Sequence, residues 1–288
     1  MGKAHKKSSR ARGNTPTIYK DIQDCNLVVE LRDIRLPLAS RVRFLHSKFE
    51  TKQKVIFLTK SDLVSPSYKS RVISYFKNRG VKAYPIQSTG NTGKLLSLFS
   101  ALTEEHRPKN SILGVMRIVI VGFPNVGKST LINAIKKKKV SRAANQPGVT
   151  QGRQWIKLNS KCYLMDTPGV ATLTHSTELE VKLKFAACRM VSDKEYEFYD
   201  LAEFLYTKTR DTNNANLLKL LEDYDRSTFK TLLDDISKRF NFIQAGNEYN
   251  YERAARKLSE IVLGVKDLEL DLDNLFQPKV KEEKKASE

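Results

Sequence analysis

Short, bounded apolar runs alternate with three- and four-residue apolar spacing through the first half of the chain. The runs within Asp24-Cys-Asn-Leu-Val-Val-Glu-Leu-Arg-Asp33, Lys54-Val-Ile-Phe-Leu-Thr59, Val81-Lys-Ala-Tyr-Pro-Ile86 and Met116-Arg-Ile-Val-Ile-Val121 predict buried strands. Residues 39–50, 66–78, 93–103 and 129–137 predict helices between them. The helix from 66 has a serine cap at Ser65, a proline at its first position and a stop at Gly80. Residues 104–114 read as a polar linker, and Trp155–Leu158 with Cys162–Met165 as a hairpin turning at Asn159-Ser160. This alternation predicts an α/β fold with a doubly wound, mostly parallel sheet. Past Gly169 the texture changes. Residues 178–190, 195–206, 214–224, 227–240 and 250–263 keep helical spacing, with Phe229, Leu232, Leu233, Ile236 and Phe240 on one face. A small all-α C-terminal domain is expected. The division is a basic flexible tail over 1–17, an α/β domain over 18–174, a helical domain over 175–276 and a charged tail over 277–288. No apolar run approaches the ~20 residues a membrane span needs.

Charge changes the picture. The chain of 288 residues carries a net charge of +19. Solubility asks for a magnitude of only about 2–8 on a small domain, so a polyanionic partner is expected, since each neutralised phosphate releases counterions. RNA, DNA and an anionic lipid surface would all suit that charge. Cys25, Cys162 and Cys188 have no CxxC spacing, which argues against a zinc ribbon or disulfide framework and fits a reducing compartment. Residues 1–13 lack an apolar core for a secretory signal. The expected setting is the cytoplasm. The alternative is the mitochondrial matrix, because the basic, acid-free start could pass for a transit peptide.

Four motifs carry the chemistry. Gly122-Phe-Pro-Asn-Val-Gly-Lys-Ser129 fits GxxxxGK[ST] between an apolar strand and a helix. Its backbone N–H groups would wrap phosphates at a helix N-terminus, through Asn125, Val126, Gly127 and Thr130 among others. Lys128 would reach the β- and γ-phosphates, and Ser129 would ligate Mg²⁺. Asp166-Thr-Pro-Gly169 follows a strand. Asp166 can serve Mg²⁺ and the Gly169 N–H can sense the γ-phosphate. Thr150, in Pro147-Gly-Val-Thr150, is nominated as a further Mg²⁺ ligand by its place between these two motifs. Thr59-Lys60-Ser61-Asp62 decides the base. The Asp62 carboxylate can accept from guanine N1–H and N2–H₂, a donor pair adenine lacks, while the Lys60 stem can lie along the ring. The usual first residue is Asn, so the shorter Thr59 is expected to cost affinity without changing specificity. Ser88 and Thr89, after the third strand, match a supporting loop whose backbone meets the base. An ordinary GTPase runs phosphate loop, switch threonine, DxxG and then base loop. Here the base loop comes first, and a permutation of this kind is cheap where the original termini lie close together.

The chain thus resembles the circularly permuted GTPases, and among them the YlqF/RbgA family of ribosome-assembly GTPases. Val28-Val-Glu-Leu-Arg-Asp33-Ile-Arg35-Leu-Pro37-Leu-Ala-Ser-Arg41 is similar to the family's DARxPxSSR stretch, and Gly122–Asn133, Pro147–Thr150, Gln154-Trp155 and Asp166–Gly169 add to the match. The likeness covers about 22–170 firmly and is weaker over 178–266, where Tyr251-Glu-Arg-Ala-Ala-Arg-Lys-Leu258 is similar to the family's C-terminal module. It implies GTP hydrolysis coupled to maturation of the large ribosomal subunit, with rRNA contact, by a monomer off the ribosome. It also implies stimulation by K⁺ held partly by the phosphate-loop Asn, here Asn125, although a loop-shaping turn residue suits that position as well. The residues after Gly169 are Val170 and Ala171, which cannot orient a water as Gln does. The family's N-terminal GHM histidine has no counterpart here, so the group that activates water is left open and weak intrinsic turnover is expected. Two other readings stand beside this one. A GTP-dependent RNA-docking scaffold would show negligible catalysis, and a P-loop enzyme acting on a metabolite would need an acceptor motif that the chain does not display.

Overall fold

The computed structural model describes residues 15–87, 92–107, 115–140, 154–166, 178–265 and 268–276. Within them one mixed sheet holds six strands in the order β3-β2-β1-β4-β6-β5. These are β1 (Leu27–Asp33), β2 (Lys54–Thr59), β3 (Ala83–Pro85), β4 (Met116–Gly122), β5 (Gln154–Asn159) and β6 (Cys162–Asp166). All pairings are parallel except the β5–β6 hairpin. From β1 the chain steps outward through β2 to β3. From β4 it crosses the other way to the edge strand β5 and turns back through β6, which lies between the two. The turning point therefore lies between β1 and β4, where open α/β sheets bind their ligands at the carboxyl ends of the strands.

Helices α1 (Thr15–Asp24), α2 (Arg43–Ser47), α3 (Pro66–Lys77), α4 (Thr92–His106) and α5 (Lys128–Val140) cover this sheet. β1 is buried along its whole length. α3 follows its sequence signals closely. Ser65 accepts from Tyr68 N at 3.1 Å, Pro66 opens the helix, and Gly80 leaves it at φ +66°. Tyr68, Val72 and Phe76 of α3 pack over Ile56 and Leu58 of β2. The expected helix over 39–50 is shorter. Pro37–Ser40 form turns instead, Val42 is extended, and α2 has five residues. The cause is Glu30, whose Oε1 accepts the Val42 N–H at 2.7 Å and holds it out of the helix. α1 fills a stretch for which the hydrophobic pattern assigned no element, packing Ile18 and Ile22 into the core.

From Glu178 onward every regular element among the described residues is helical: α6 (Leu179–Ala187), α7 (Phe198–Thr209), α8 (Ala215–Leu220), α9 (Phe229–Arg239) and α10 (Tyr251–Gly264). An isolated bridge joins Ile243 to Tyr249 between α9 and α10. These helices share one continuous core with the sheet, and Phe185 of α6 packs against Phe123 with ring centroids 5.2 Å apart and planes tilted by 37°. Residues 268–276 then return to α3. Asp273 accepts from the Leu38 and Ala39 N–H groups, Glu269 accepts from Ser65 Oγ, and Phe276 sits against Tyr68 and under the Arg71 guanidinium. The flexible tail expected over 1–17 gives way earlier, since residues 15–17 already form the first turn of α1, while residues 1–14 and the charged tail over 277–288 lie outside the described residues.

β1 carries two fully buried carboxylates, Glu30 and Asp33. Glu30 pairs with Arg32 at 2.7 Å and with His46 at 3.1 Å. Burial opposes its charge, but the His46 hydrogen bond and the Arg32 guanidinium hold its carboxyl below the ordinary 4.5. Asp33 is likewise opposed by burial and held below 3.8 by Arg35 and then Lys60. Groups depressed on folding contribute stability that is complete above their unfolded values and is lost as pH falls through the folded ones. Asp273, raised by burial, has the opposite sign. His106, held below the ordinary 6.5 by burial, acts as Glu30 and Asp33 do and loses its contribution as pH falls below about 6.5. Urea-unfolding midpoints are therefore expected to decline slightly between about pH 7 and 5 and to fall more steeply below about pH 4. Gly122 gives a second prediction. A Cβ there would meet Val126 Cγ1 at 2.8 Å, Leu31 Cβ at 3.0 Å and the Leu31 carbonyl at 3.2 Å. Gly122→Ala is expected to cost about 1–3 kcal/mol in the same assay by pushing the loop after β4 off β1.

Candidate nucleotide site

The carboxyl ends of β2, β1 and β4 lie side by side, and each releases a loop that matters. After β4 the chain turns through Phe123–Gly127 into α5. Asn125 and Gly127 adopt positive φ, +56° and +105°. Asn and Gly tolerate that conformation best. Val126 is buried and its N–H reaches the Phe123 carbonyl at 3.4 Å. Lys128 opens α5 and is 8% exposed, while Ser129 and Thr130 are exposed on its first turn. Such a turn at a helix N-terminus presents backbone N–H groups and the positive end of the helix dipole to an anion.

After β2 comes the candidate base loop. Thr59 is fully buried, so its hydroxyl does not face a base. Its one proton goes to the nearer Val126 carbonyl at 2.7 Å, with the Arg32 carbonyl at 3.1 Å as the second acceptor within reach. This side chain ties the base loop to the phosphate loop across the end of β1, over 67 residues of sequence. Lys60 takes a left-handed φ of +56°. Ser61 N bonds the Ile86 carbonyl at 3.4 Å, joining this loop to the end of β3. Asp62 is exposed at the rim of a cavity of about 340 Å³, lined also by Arg35, Leu63, Tyr68, Cys188 and parts of residues 262–272.

Between the two loops stands the end of β1. Asp33 Oδ2 accepts from Lys60 Nζ at 2.9 Å and from Arg35 Nη2 at 2.8 Å, and its Oδ1 accepts from the Arg35 Nε and backbone N–H at 3.0 Å each. The Cys188 carbonyl, at the end of α6, accepts from Arg35 Nη2 at 3.1 Å and from Lys60 Nζ at 3.4 Å. Sequence reasoning used Asp33 and Arg35 only as marks of a family likeness and gave Cys188 no part in the site. A charged Asp-x-Arg ending an otherwise apolar strand was the available signal for the first two. Nothing in the local sequence pointed to a main-chain carbonyl of a distant helix.

The structure thus sets the base loop, Thr59 to Asp62, and the phosphate loop, Asn125 to Thr130, at the carboxyl ends of β2 and β4 on either side of β1, joined by the Thr59–Val126 bond, while Asp62 lines a cavity to which no residue of the phosphate loop contributes. Asp166 ends β6, paired in register with Ile120 of β4. Its side chain, and Ser88, Thr89, Thr150 and Gly169, lie outside the described residues. If Thr59 serves as the cross-link, Thr59→Val should weaken guanosine diphosphate binding by roughly tenfold, the order of leaving buried acceptors unpaired. Thr59→Ser, which keeps the hydroxyl, should bind as the parent does. Isothermal calorimetry separates the two.

A family profile described as "50S ribosome-binding GTPase" matches residues 117–233, beginning at the strand that feeds the phosphate loop. The Bacillus licheniformis protein named Ribosome biogenesis GTPase A is 31% identical over 246 residues, 83% of this chain and 85% of its own length. Its namesake in Bacillus cereus is 31% identical over 250 residues, with 83% and 81% covered. A crystal structure of YlqF from T. maritima, described as GNP-bound, superposes with a TM-score of 0.62 at 22% identity, covering 86% of this chain and 93% of that one. At that identity the superposition speaks for the fold, and the sheet described above is the one it shares. The permuted order of its two nucleotide loops and its 31% identity to relatives covered over more than four-fifths of their length agree, and the chain belongs to the YlqF/RbgA family, the ribosome biogenesis GTPases A.

Proposed function

We propose that this protein is a GTP-hydrolysing switch that assists assembly of the large ribosomal subunit through contact with rRNA. The observation that carries the reading is the Thr59–Val126 bond, which ties a guanine-type TKSD loop to a GxxxxGKS loop at the carboxyl end of the sheet. Base and phosphates would then be held by stretches of chain that meet only in the fold. Asp62 would take the guanine donors, with Ser88 and Thr89 supporting the base. Lys128 and the N–H groups of 125–130 would take the phosphates, and the Gly169 N–H would sense the last of them.

Mg²⁺ fits the donors at hand. Ser129 exposes a hydroxyl on the first turn of α5, and Asp166 ends the strand beside β4. With Thr150 these are the hard oxygen ligands that Mg²⁺ takes. When bound, the ion neutralises charge on the β- and γ-phosphates. Asn125 is the candidate K⁺ ligand, and Val170 and Ala171 supply no group to orient water, so turnover is slow until a partner assists.

The ribosomal partner is supported by where the charge lies. Residues 1–177 contain 32 of the 51 Lys and Arg against 9 of the 32 Asp and Glu, whereas residues 178–276 contain 15 against 20. The GTPase part carries the polyanion-binding charge, and the helical part is net acidic. We place the protein in the cytoplasm as a monomer when off the particle. Among the described residues no helix is long and apolar enough to cross a membrane.

Phosphate release under multiple turnover provides the test. GTP hydrolysis is expected to be slow alone and to rise at least about tenfold with large-subunit precursors in K⁺ buffer. Equal rates in K⁺ and Na⁺, with and without particles, would leave a docking scaffold as the better account. A preference for ATP over GTP would remove the base assignment altogether.

A further inference from the structure

Lys60 and Asp33 pose a question that the nucleotide-binding reading leaves open. Lys60 sits in the base loop, yet its ammonium is turned back onto the end of β1 and bonded to Asp33 Oδ2 at 2.9 Å. Its backbone is left-handed at φ +56°. A residue with a Cβ adopts that conformation at a cost, and keeps it where its surroundings over-determine it. The partner here is not a surface carboxylate. Asp33 is 0% exposed, and its remaining acceptor positions are filled by Arg35. Arg35 is itself fixed by the Cys188 carbonyl, which also meets Lys60 Nζ. A carboxylate held on all sides cannot move to follow a lysine, so the lysine must come to it.

We propose that Asp33 is a positioning residue for base recognition: by fixing the Lys60 ammonium it stretches the Lys60 stem across the base loop as one wall of the purine slot. This deepens the nucleotide-binding reading and rests on it. Asp33 touches no nucleotide in this account and acts through Lys60. Arg35 and the Cys188 carbonyl serve to hold Asp33 and Lys60 in register. Removing the Asp33 charge would leave the Arg35 and Lys60 cations sharing one carbonyl, and the lysine, being the more flexible of the two, would swing out. Burial works against the Asp33 charge, yet its carboxyl stays below the usual range because the Arg35 and Lys60 cations stabilise it, so it is ionised at neutral pH.

The test is a double-mutant cycle on the full chain, reading dissociation constants for GDP and pyrophosphate by calorimetry alongside the melting temperature, with ADP as a control on the parent. The variants are Asp33→Asn, Lys60→Met and the pair. Pyrophosphate engages the phosphate loop and carries no ring, so the ratio of GDP to pyrophosphate affinity isolates the purine slot, whereas ADP would lie against the same Lys60 stem. Asp33→Asn is expected to lower that ratio about tenfold and Lys60→Met by a similar factor, with the double variant no lower than either, because the two residues act as one unit. Multiplying losses, or equal weakening of GDP and pyrophosphate, would mean that Asp33 only supports the fold, and the proposal would fall. If Asp33→Asn does not fold, Asp33→Glu keeps the charge and shifts it by one methylene. It should lower the ratio in the parent chain and leave it unchanged in Lys60→Met, and no drop in the parent would overturn the proposal. A parent chain without preference for GDP would refute the underlying nucleotide assignment instead, which the cycle reports separately.

Discussion

The site depends on a constraint of topology. The base loop leaves β2, the phosphate loop leaves β4, and β1 stands between them, so every direct bond joining the two loops must pass over the end of β1. Thr59 makes one such bond, its hydroxyl reaching the Val126 carbonyl. The end of β1 must then be rigid, and it is built from charge rather than from apolar packing alone. An exposed ion pair contributes about 0–1 kcal/mol. Breaking a buried one by removing a partner costs about 3–5 kcal/mol, because a bare charge is left behind. Asp33 and Glu30 are of the second kind, each with its acceptor positions occupied, Glu30 by Arg32, the Val42 N–H and His46 of α2, and Asp33 by Arg35 and by Lys60 of the base loop. Their worth is conformational. They fix where the loops start.

Much of this could be read from residue order, and the reasons are local. The cap of α3 needed only Ser65-Pro66, because hydroxyl capping and the fixed φ of proline act within one turn. The β5–β6 hairpin needed only two runs and a polar turn. The phosphate loop was legible because its glycines and Lys128 answer a chemical need that admits few alternatives. What could not be read was non-local. Nothing before α2 announces that Glu30, twelve residues earlier, takes the Val42 N–H and shortens that helix. The return of residues 268–276 to α3 depends on Asp273 finding the free amides of Leu38 and Ala39, a pairing more than 230 residues apart.

Thr59 shows how a correct motif can carry a wrong expectation of detail. Read beside the usual asparagine, its hydroxyl looked like a weakened base-loop group. In the fold it is buried and turned to main-chain carbonyls, its proton on that of Val126. The motif named the loop, but burial decided what the side chain does there. Lys60 makes the same point from the other side. Its head is committed to Asp33, so only its stem remains to meet a ring.

The helical half bears on the site by a route that residue order did not suggest. In the chain it follows Asp166-Thr-Pro-Gly169, which makes that connection the obvious path for a nucleotide-driven signal. Contacts supply another. Phe185 of α6 packs on Phe123 at the start of the phosphate loop, and the Cys188 carbonyl bonds both Arg35 and Lys60. A ligand shifts a conformational equilibrium only through contacts that differ between the states. The end of α6 meets both loops that would grip a nucleotide, so moving α6 changes their supports whether or not the connection after β6 moves. Permutation makes this arrangement natural. With the base loop moved to the front of the chain, the helical half follows the phosphate loop and β6, and α6 is the first helix after β6 among the described residues.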